Sequence, residues 1–173
     1  MDGGTIAVVH DFEDVLTANA HYQRTFADPH LRGRAAKGLA VVTCMDSRID
    51  PLGLLGLAPG DAKILRTAGA RVTADVLRSL VLAHHLLGVD RVMVLSHTDC
   101  GMVKTTDEVV HAAVLERSGV DSRSLDFQTI ADQEATLKRD VQRVRSSPYL
   151  PPGMPVVGGV YDVFTGAVRL TVT

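Results

Sequence analysis

The sequence predicts an α/β fold built on a mainly parallel sheet flanked by helices. Short, Val-rich apolar runs alternate along the chain with longer segments of helical periodicity. Strand–helix–strand alternation of this kind closes through right-handed crossovers into a parallel sheet. The chain's end breaks the alternation: "VVGGVYDVFTGAVRLTV" reads as a strand, a turn at Thr165-Gly166 and a partner strand, which adds an antiparallel edge.

Each element has a local reason. "FEDVLTANAHYQRTF" (Phe12 to Phe26) has apolar residues at helical spacing among good helix formers. "GLAVVTCMD" is a short buried strand ending near Thr43. "DPLGLLGL" forms a short helix with Pro51 in its first turn, stopped by "APGD". "AKILRTAGA" gives a second strand, Ala62 to Arg66, and then a Gly turn. In "TADVLRSLVLAHHLLGVD", Thr73 caps a helix whose apolar face carries Val76, Leu80, Ala83 and Leu87, and Gly88 ends it. "RVMVLSH" is the third strand. A helix is expected from Gly101 through about Arg117, and "TIADQEATLKRDVQRVRSS" is a further amphipathic helix.

Size and composition bound the function. The chain has 173 residues, enough for one domain with a proper core, and no linker or repeat divides it. We read it as a single domain, 1–173, with an N-terminal helical arm over about residues 10–30. Apolar residues make up 46% and charged residues 22%; the net charge of -2, with no basic run, argues against nucleic acid as a partner. No apolar stretch is long enough for a bilayer, and "MDGGTIAVVHDFEDV" lacks a secretory pattern. A cytoplasmic location is expected, where two cysteines are reduced thiols rather than a disulfide.

Two stretches bear chemistry. "SHTDCGM" sets His97 three residues before Cys100, at the end of one strand, and "TCMDSRID" holds Cys44 at the end of another. In an open parallel sheet, ligands bind beyond the carboxyl ends of the strands. If the first and third strands are neighbours, Cys44 and His97 open onto one crevice. Cys100 then follows across a tight loop at the start of the next expected helix, where a thiolate gains from the helix dipole. Two thiolates and an imidazole suit zinc, and three protein ligands leave a fourth position open. Against this, cysteine is among the most buried residue types, and H-x2-C alone is a weak signal. A Cys44–Cys100 redox pair lacks the C-x-x-C spacing. A phosphatase-type loop is excluded, because Arg48 follows Cys44 too closely. Read from the residues alone, a metal site, a redox pair and plain core cysteines stay open. Asp46 and Arg48 lie in the loop beside Cys44. By themselves they are an exposed ion pair of little worth; beside a metal, Asp46 is either a ligand or a hydrogen-bond acceptor, and Arg48 decides which.

Taken together, C-x-D-x-R (Cys44 to Arg48), R-x-A-G-A (Arg66 to Ala70), H-T-D-C-G (His97 to Gly101) and the closing "VYDVFTG" resemble the β-class carbonic anhydrases, most closely their compact microbial branch. The resemblance covers most of the chain in the right order. It implies zinc held by Cys44, His97 and Cys100, a catalytic dyad of Asp46 and Arg48, and Asp46 able to serve as fourth ligand in a closed state. It implies reversible hydration of carbon dioxide to bicarbonate and a proton, with a small apolar substrate pocket at Gly69, Ala70 and Val72. Two thiolates cancel the formal charge of zinc, so activity is expected to rise on the alkaline side. The resemblance further implies four parallel strands plus an edge strand, and homodimers or multiples of dimers. An apolar face of Phe12, Val15, Leu16 and Phe26 is then expected to reach over the partner, where otherwise it packs on its own subunit.

There are departures. Thr67 stands where many members carry Asn. The chain has no Trp, so the Trp-based regulatory bicarbonate pocket is absent, and no equivalent of the plant-type pocket glutamine is evident. Two other functions compete: hydrolysis of carbon disulfide or carbonyl sulfide, which resembles a known branch on this fold, and a non-catalytic zinc sensor or scaffold. An open ligand position beside an intact dyad argues against the second. The other histidines, His10, His21, His30, His84, His85 and His111, read as surface or packing residues.

Overall fold

A computed structural model describes residues 11–173, and the expectation for His10 lies outside them. The chain divides into two units, one up to Leu31 and one from Arg32 to Thr173. The first holds helix α1 (Glu13–Thr25), close to the expected span. Glu13 and Asp14 sit in its first turn and Arg24 in its last, which complements the helix dipole. It buries no residue: Phe12, Val15, Leu16, Tyr22 and Phe26 are each 48–57% exposed.

The second unit carries the sheet. Its strands are β1 (Leu39–Cys44), β2 (Ala62–Thr67), β3 (Arg91–His97), β4 (Val156–Tyr161) and β5 (Val168–Val172). Their spatial order is β2-β1-β3-β4-β5, with β1, β2, β3 and β4 parallel and β5 antiparallel to β4. This is the expected sheet, four parallel strands and an antiparallel edge. The helices are α2 (Pro51–Leu54), α3 (Ala74–Leu87), α4 (Asp107–Ser118) and α5 (Gln133–Arg145). No helix among the described residues is long and apolar enough to cross a membrane.

Parallel strands need both faces covered, which is why these read as continuous apolar runs. Ala40, Val41 and Val42 of β1 are fully buried, and Val92, Val94 and Leu95 of β3 nearly so. The main core joins Ala40, Val42, Val92 and Val94 to Val76, Leu80 and Ala83 of α3 and to Leu137, Val141 and Val144 of α5. Thr73 caps α3 through Val76 N at 3.3 Å, and Gly88 closes it in the left-handed region at φ 77°. Arg71, in the turn after β2, reaches α5: its Nε donates to Asp140 Oδ2 at 2.8 Å and its Nη1 to Gln128 O at 3.0 Å.

One expectation is corrected. The helix foreseen from Gly101 starts six residues later, at Asp107, and turns occupy residues 101–104. The stretch between holds glycine and β-branched residues, which are weak helix formers. The stronger start is "TTDEV": the Thr106 hydroxyl accepts from Val109 N at 3.4 Å, and Asp107 and Glu108 fill the first turn. Cys100 is therefore in a turn and gains nothing from a helix dipole.

The sheet is tightest at β4. A Cβ on Gly158 would lie 2.9 Å from Val141 Cγ2, 3.1 Å from Leu137 Cγ and 3.2 Å from Val172 Cβ. Gly158→Val should therefore overpack the α5 contact and cost about 1–3 kcal/mol, read as a lower urea midpoint at unchanged m-value.

Candidate metal centre

The strand order places the site. In the order β2-β1-β3-β4 the chain winds outward from β1 to β2, then crosses to β3 on the other side. The crevice beyond the carboxyl ends of β1 and β3 is the topological switch point. Cys44 is the last residue of β1 and His97 the last of β3. Cys100 follows three residues on, and the ligand atoms of Cys44, His97 and Cys100 all lie within 4.8 Å of one another. All three residues are buried, at 4%, 1% and 3% exposure.

His97 is fixed for ligation. Its Nδ1 lies 2.8 Å from the carbonyl oxygen of Thr98. A carbonyl only accepts, so Nδ1 carries the proton and Nε2 presents its lone pair. Nε2 is buried and has no hydrogen-bond partner. A buried polar atom left unpaired costs about 1–3 kcal/mol, unless something the site is built for completes it. The two cysteines share the remaining charge. The neighbouring Cys100 thiol outweighs burial in holding Cys44 down to about 3, and His97 and the main chain at Asp46 and Gly69 add to it. The Cys44 thiolate and burial in turn push Cys100 up. His97 is pulled down by burial but held higher overall by the Cys44 thiolate and Asp46 beside it. One thiolate, one thiol that loses its proton to a cation, and one unpartnered imidazole nitrogen fit a soft tetrahedral metal such as zinc, with one position left open.

The turn after β2 closes one side. Gly69 has φ 69°, and a Cβ there would come 2.8 Å from Ile130 Cδ1 and 3.2 Å from Met102 Cβ, so only glycine fits. Ala70 also has positive φ, 59°. The Thr67 hydroxyl donates to Arg71 O at 3.0 Å and bridges this turn, which gives the residue standing in place of Asn a structural role. Ala70 packs with Cys44, Ile49 and Cys100, whereas Val72 belongs to the main core.

Asp46 borders the donors, with Oδ2 3.9 Å from His97 Nε2. Arg48 grips it as a fork: Nη2 donates to Oδ2 at 2.8 Å and Nε to Oδ1 at 2.9 Å. The guanidinium holds the Asp46 carboxyl well below the usual carboxylate range. The sequence reading missed further supports. Arg66 donates from Nε to Cys44 O at 3.0 Å and from Nη2 to Asp46 O at 2.6 Å, clamping the loop's main chain. Gln133 Nε2 donates to His97 O at 2.8 Å. Thr98 ties in the end of β4, donating from N to Tyr161 O at 2.9 Å and accepting at Oγ1 from Val163 N at 3.1 Å. Arg66 lay inside the quoted "RTAGA", so its signal was a cation two residues short of a glycine turn; Gln133 had none. Of the other histidines within the described residues, His84 donates from Nδ1 to Val89 O at 2.7 Å and His85 from Nε2 to Tyr149 O at 2.9 Å, and none joins the donor set.

Comparisons with known proteins bear on this arrangement. A family model described as carbonic anhydrase matches residues 39–168. β-Carbonic anhydrase 1 of Mycobacterium tuberculosis is 34% identical over 154 residues, 89% of this chain and 93% of that protein. A carbon disulfide hydrolase of Acidithiobacillus thiooxidans is 31% identical over 76% of this chain and 75% of that protein. A solved carbonic anhydrase from Streptococcus mutans matches with a TM-score of 0.87 at 40% identity, over 92% of this chain and 96% of that one.

The donor set carries a direct expectation. Protein purified without added metal should hold about one zinc per chain by elemental analysis. Cys100→Ala should lose most of it, and an unchanged zinc content would rule out this set of ligands.

Proposed function

Because the chain belongs to the β-carbonic anhydrase family, we propose that it is a zinc enzyme that reversibly hydrates carbon dioxide to bicarbonate and a proton. The observation that carries this reading is the unpartnered, buried Nε2 of His97 set among two cysteine sulfurs with a fixed carboxylate at its edge. Cys44, His97 and Cys100 would hold the zinc, which supplies the Lewis acidity that makes water a nucleophile near neutral pH.

The chain's own groups do the rest. Asp46 stays ionised because Arg48 donates to both of its oxygens. A carboxylate held so low is a weak base but a strong hydrogen-bond acceptor. Its role is then to accept a proton-bearing partner at Oδ2 and so orient the attacking water, rather than to store the proton. Gly69 and Ala70 form the apolar wall on the β2 side, and Val72 backs that turn from the core. Buried apolar walls suit a small neutral substrate, which asks for no hydrogen bond. While Arg48 holds Asp46, the carboxylate would be kept off a bound metal; if the pair breaks, Asp46 is near enough to ligate one. The donor set also asks for a reducing compartment, since a Cys44–Cys100 disulfide would remove both sulfur ligands, and a cytoplasmic location is part of this reading.

A second reading rests on the carbon disulfide hydrolase relative: the same donors, acting on carbon disulfide or carbonyl sulfide. Carbon dioxide is favoured because the carbonic anhydrases match at higher identity over more of the chain. We also propose a homodimer or a multiple of dimers. The apolar side chains of α1 are exposed as a group and call for a covering surface, which a second copy supplies.

Two measurements test this. Stopped-flow hydration of carbon dioxide on zinc-assayed protein should show turnover that rises with pH, and Arg48→Ala should lose about 10–100-fold across the pH range while keeping its zinc. Near-normal activity in that variant would return Arg48 to an ordinary surface ion pair. Light scattering of a chain lacking residues 1–30 should show a smaller or weaker assembly; an undiminished dimer of full stability would remove α1 from the interface.

A further inference from the structure

Arg48 has a second partner that the proposed dyad does not use. Its Nη1 donates to Asp99 Oδ2 at 2.8 Å and its Nη2 to Asp99 O at 3.2 Å. The guanidinium therefore spends one edge on Asp46 and the other on Asp99. The two carboxylates come from different loops. Asp46 follows Cys44 at the end of β1, and Asp99 lies between His97 and Cys100 beyond β3. Asp99 is itself held in place, since its other oxygen, Oδ1, takes the Lys104 ammonium. Its backbone sits in the left-handed region at φ 59°, one of three non-glycine residues with positive φ among those described. Aspartate visits this region more readily than most L residues, and contacts to its carboxylate hold it there. Here those contacts are Arg48 on one oxygen and Lys104 on the other.

We propose that Asp99 is a positioning residue: its carboxylate anchors the far edge of Arg48, so that the guanidinium locks the Cys44 loop to the His97–Cys100 loop and keeps Asp46 at its place beside the donors. This deepens the functional reading above and rests on it. An arginine gripped on one edge only keeps the freedom to swing with its partner about its own side-chain torsions. Gripped on both edges from separate loops, it becomes a fixed strut. The role belongs to the carboxylate and not to the unusual backbone, and the two are separable by substitution. Glycine adopts the same φ without strain but has no carboxylate. Asparagine tolerates that backbone and keeps the shape, but loses the charge.

The test uses Asp99→Gly and Asp99→Asn beside the parent protein, with two readouts. The first needs neither metal nor turnover: relaxation of the Arg48 Nε–H by nitrogen-15 NMR on the metal-free protein, assigned by its loss in Arg48→Ala. The signal should report an ordered side chain in the parent and a mobile one in both variants. The second is carbon dioxide hydration with zinc assayed. Both variants should fall about 10–100-fold in kcat at retained zinc. The same substitutions made on Arg48→Ala should cause little further loss, because the strut is already gone. A merely structural role would give losses that add. A rigid Arg48 in both variants, parent-like kcat, or full additivity would each overturn the proposal. Should Asp99→Gly fail to fold, the near-isosteric Asp99→Asn carries the same readouts. A zinc-loaded parent without hydration activity would defeat the functional reading alone, and the NMR arm would still decide the role of Asp99.

Discussion

The molecule is organised around one buried nitrogen. His97 Nε2 has no hydrogen-bond partner among the described residues, and its tautomer is fixed by the carbonyl that takes the proton on Nδ1. A polar atom stranded in the interior is a standing cost that a fold of marginal stability rarely carries without return. Two cysteine sulfurs lie within 4.8 Å of it, and the proposed return is a cation held by the three atoms together. The parallel sheet is the means of bringing them together. Adjacent strands β1 and β3 end side by side, paired up to Thr43 and Leu95, and each delivers a ligand as its last residue. Cysteine and histidine are thus held by strand hydrogen bonding before any loop contributes.

Loops at the carboxyl end of a sheet need pinning, and here long polar side chains supply it. Arg66 holds main-chain carbonyls of the Cys44 loop from β2, while Gln133 reaches from α5 to the carbonyl of His97. The backbone conformations that need such support gather at the same place. Gly69, Ala70 and Asp99 all have positive φ and all flank the donor set. Strain of this kind at a site reflects geometry imposed by the surroundings, and the surrounding bonds are visible: Thr67 across the Gly69–Ala70 turn, Arg48 and Lys104 on Asp99.

Much of this was legible in the sequence, and the reason is local. The strands at Ala40–Val42 and Val92–Leu95 are buried on both sides, so they appear as unbroken apolar runs, and α3 shows its core face at Val76, Leu80 and Ala83 between a cap and a glycine. The convergence of Cys44, His97 and Cys100 followed from strand ends plus the assumption that β1 and β3 are neighbours, which the sheet order bears out. Where the reading went astray, a competing local signal was present. The pattern from Gly101 suggests a helix opening there, although the Thr106 cap and the acidic pair after it are the stronger start. The supports of the site were not legible for a different reason. Arg66, Asp99 and Gln133 act across distances of 20 to 51 residues in sequence, and nothing in a charged or amide side chain announces a distant main-chain carbonyl or guanidinium as its partner.

The charges around the centre follow a pattern with a chemical consequence. Lys104, Asp99, Arg48 and Asp46 form an unbroken chain of alternating sign that runs inward from an exposed ammonium to a carboxylate 3.9 Å from the buried imidazole. Its four charges cancel. Each interior member touches an opposite charge on both sides or, in the case of Asp46, an opposite charge on one side and the donor set on the other. Arg66 adds a cation, but its guanidinium is taken up by carbonyl oxygens of the Cys44 loop. A chain so balanced adds no net charge that would draw anions toward the donors or repel them. That suits the proposed reaction, in which a neutral molecule enters and an anion must leave. A strongly positive mouth would raise local bicarbonate and slow its departure, and a negative one would oppose its entry in the reverse direction. Alternation along one chain holds Asp46 firmly without adding net charge of its own, which a single unpaired cation beside the carboxylate would not achieve.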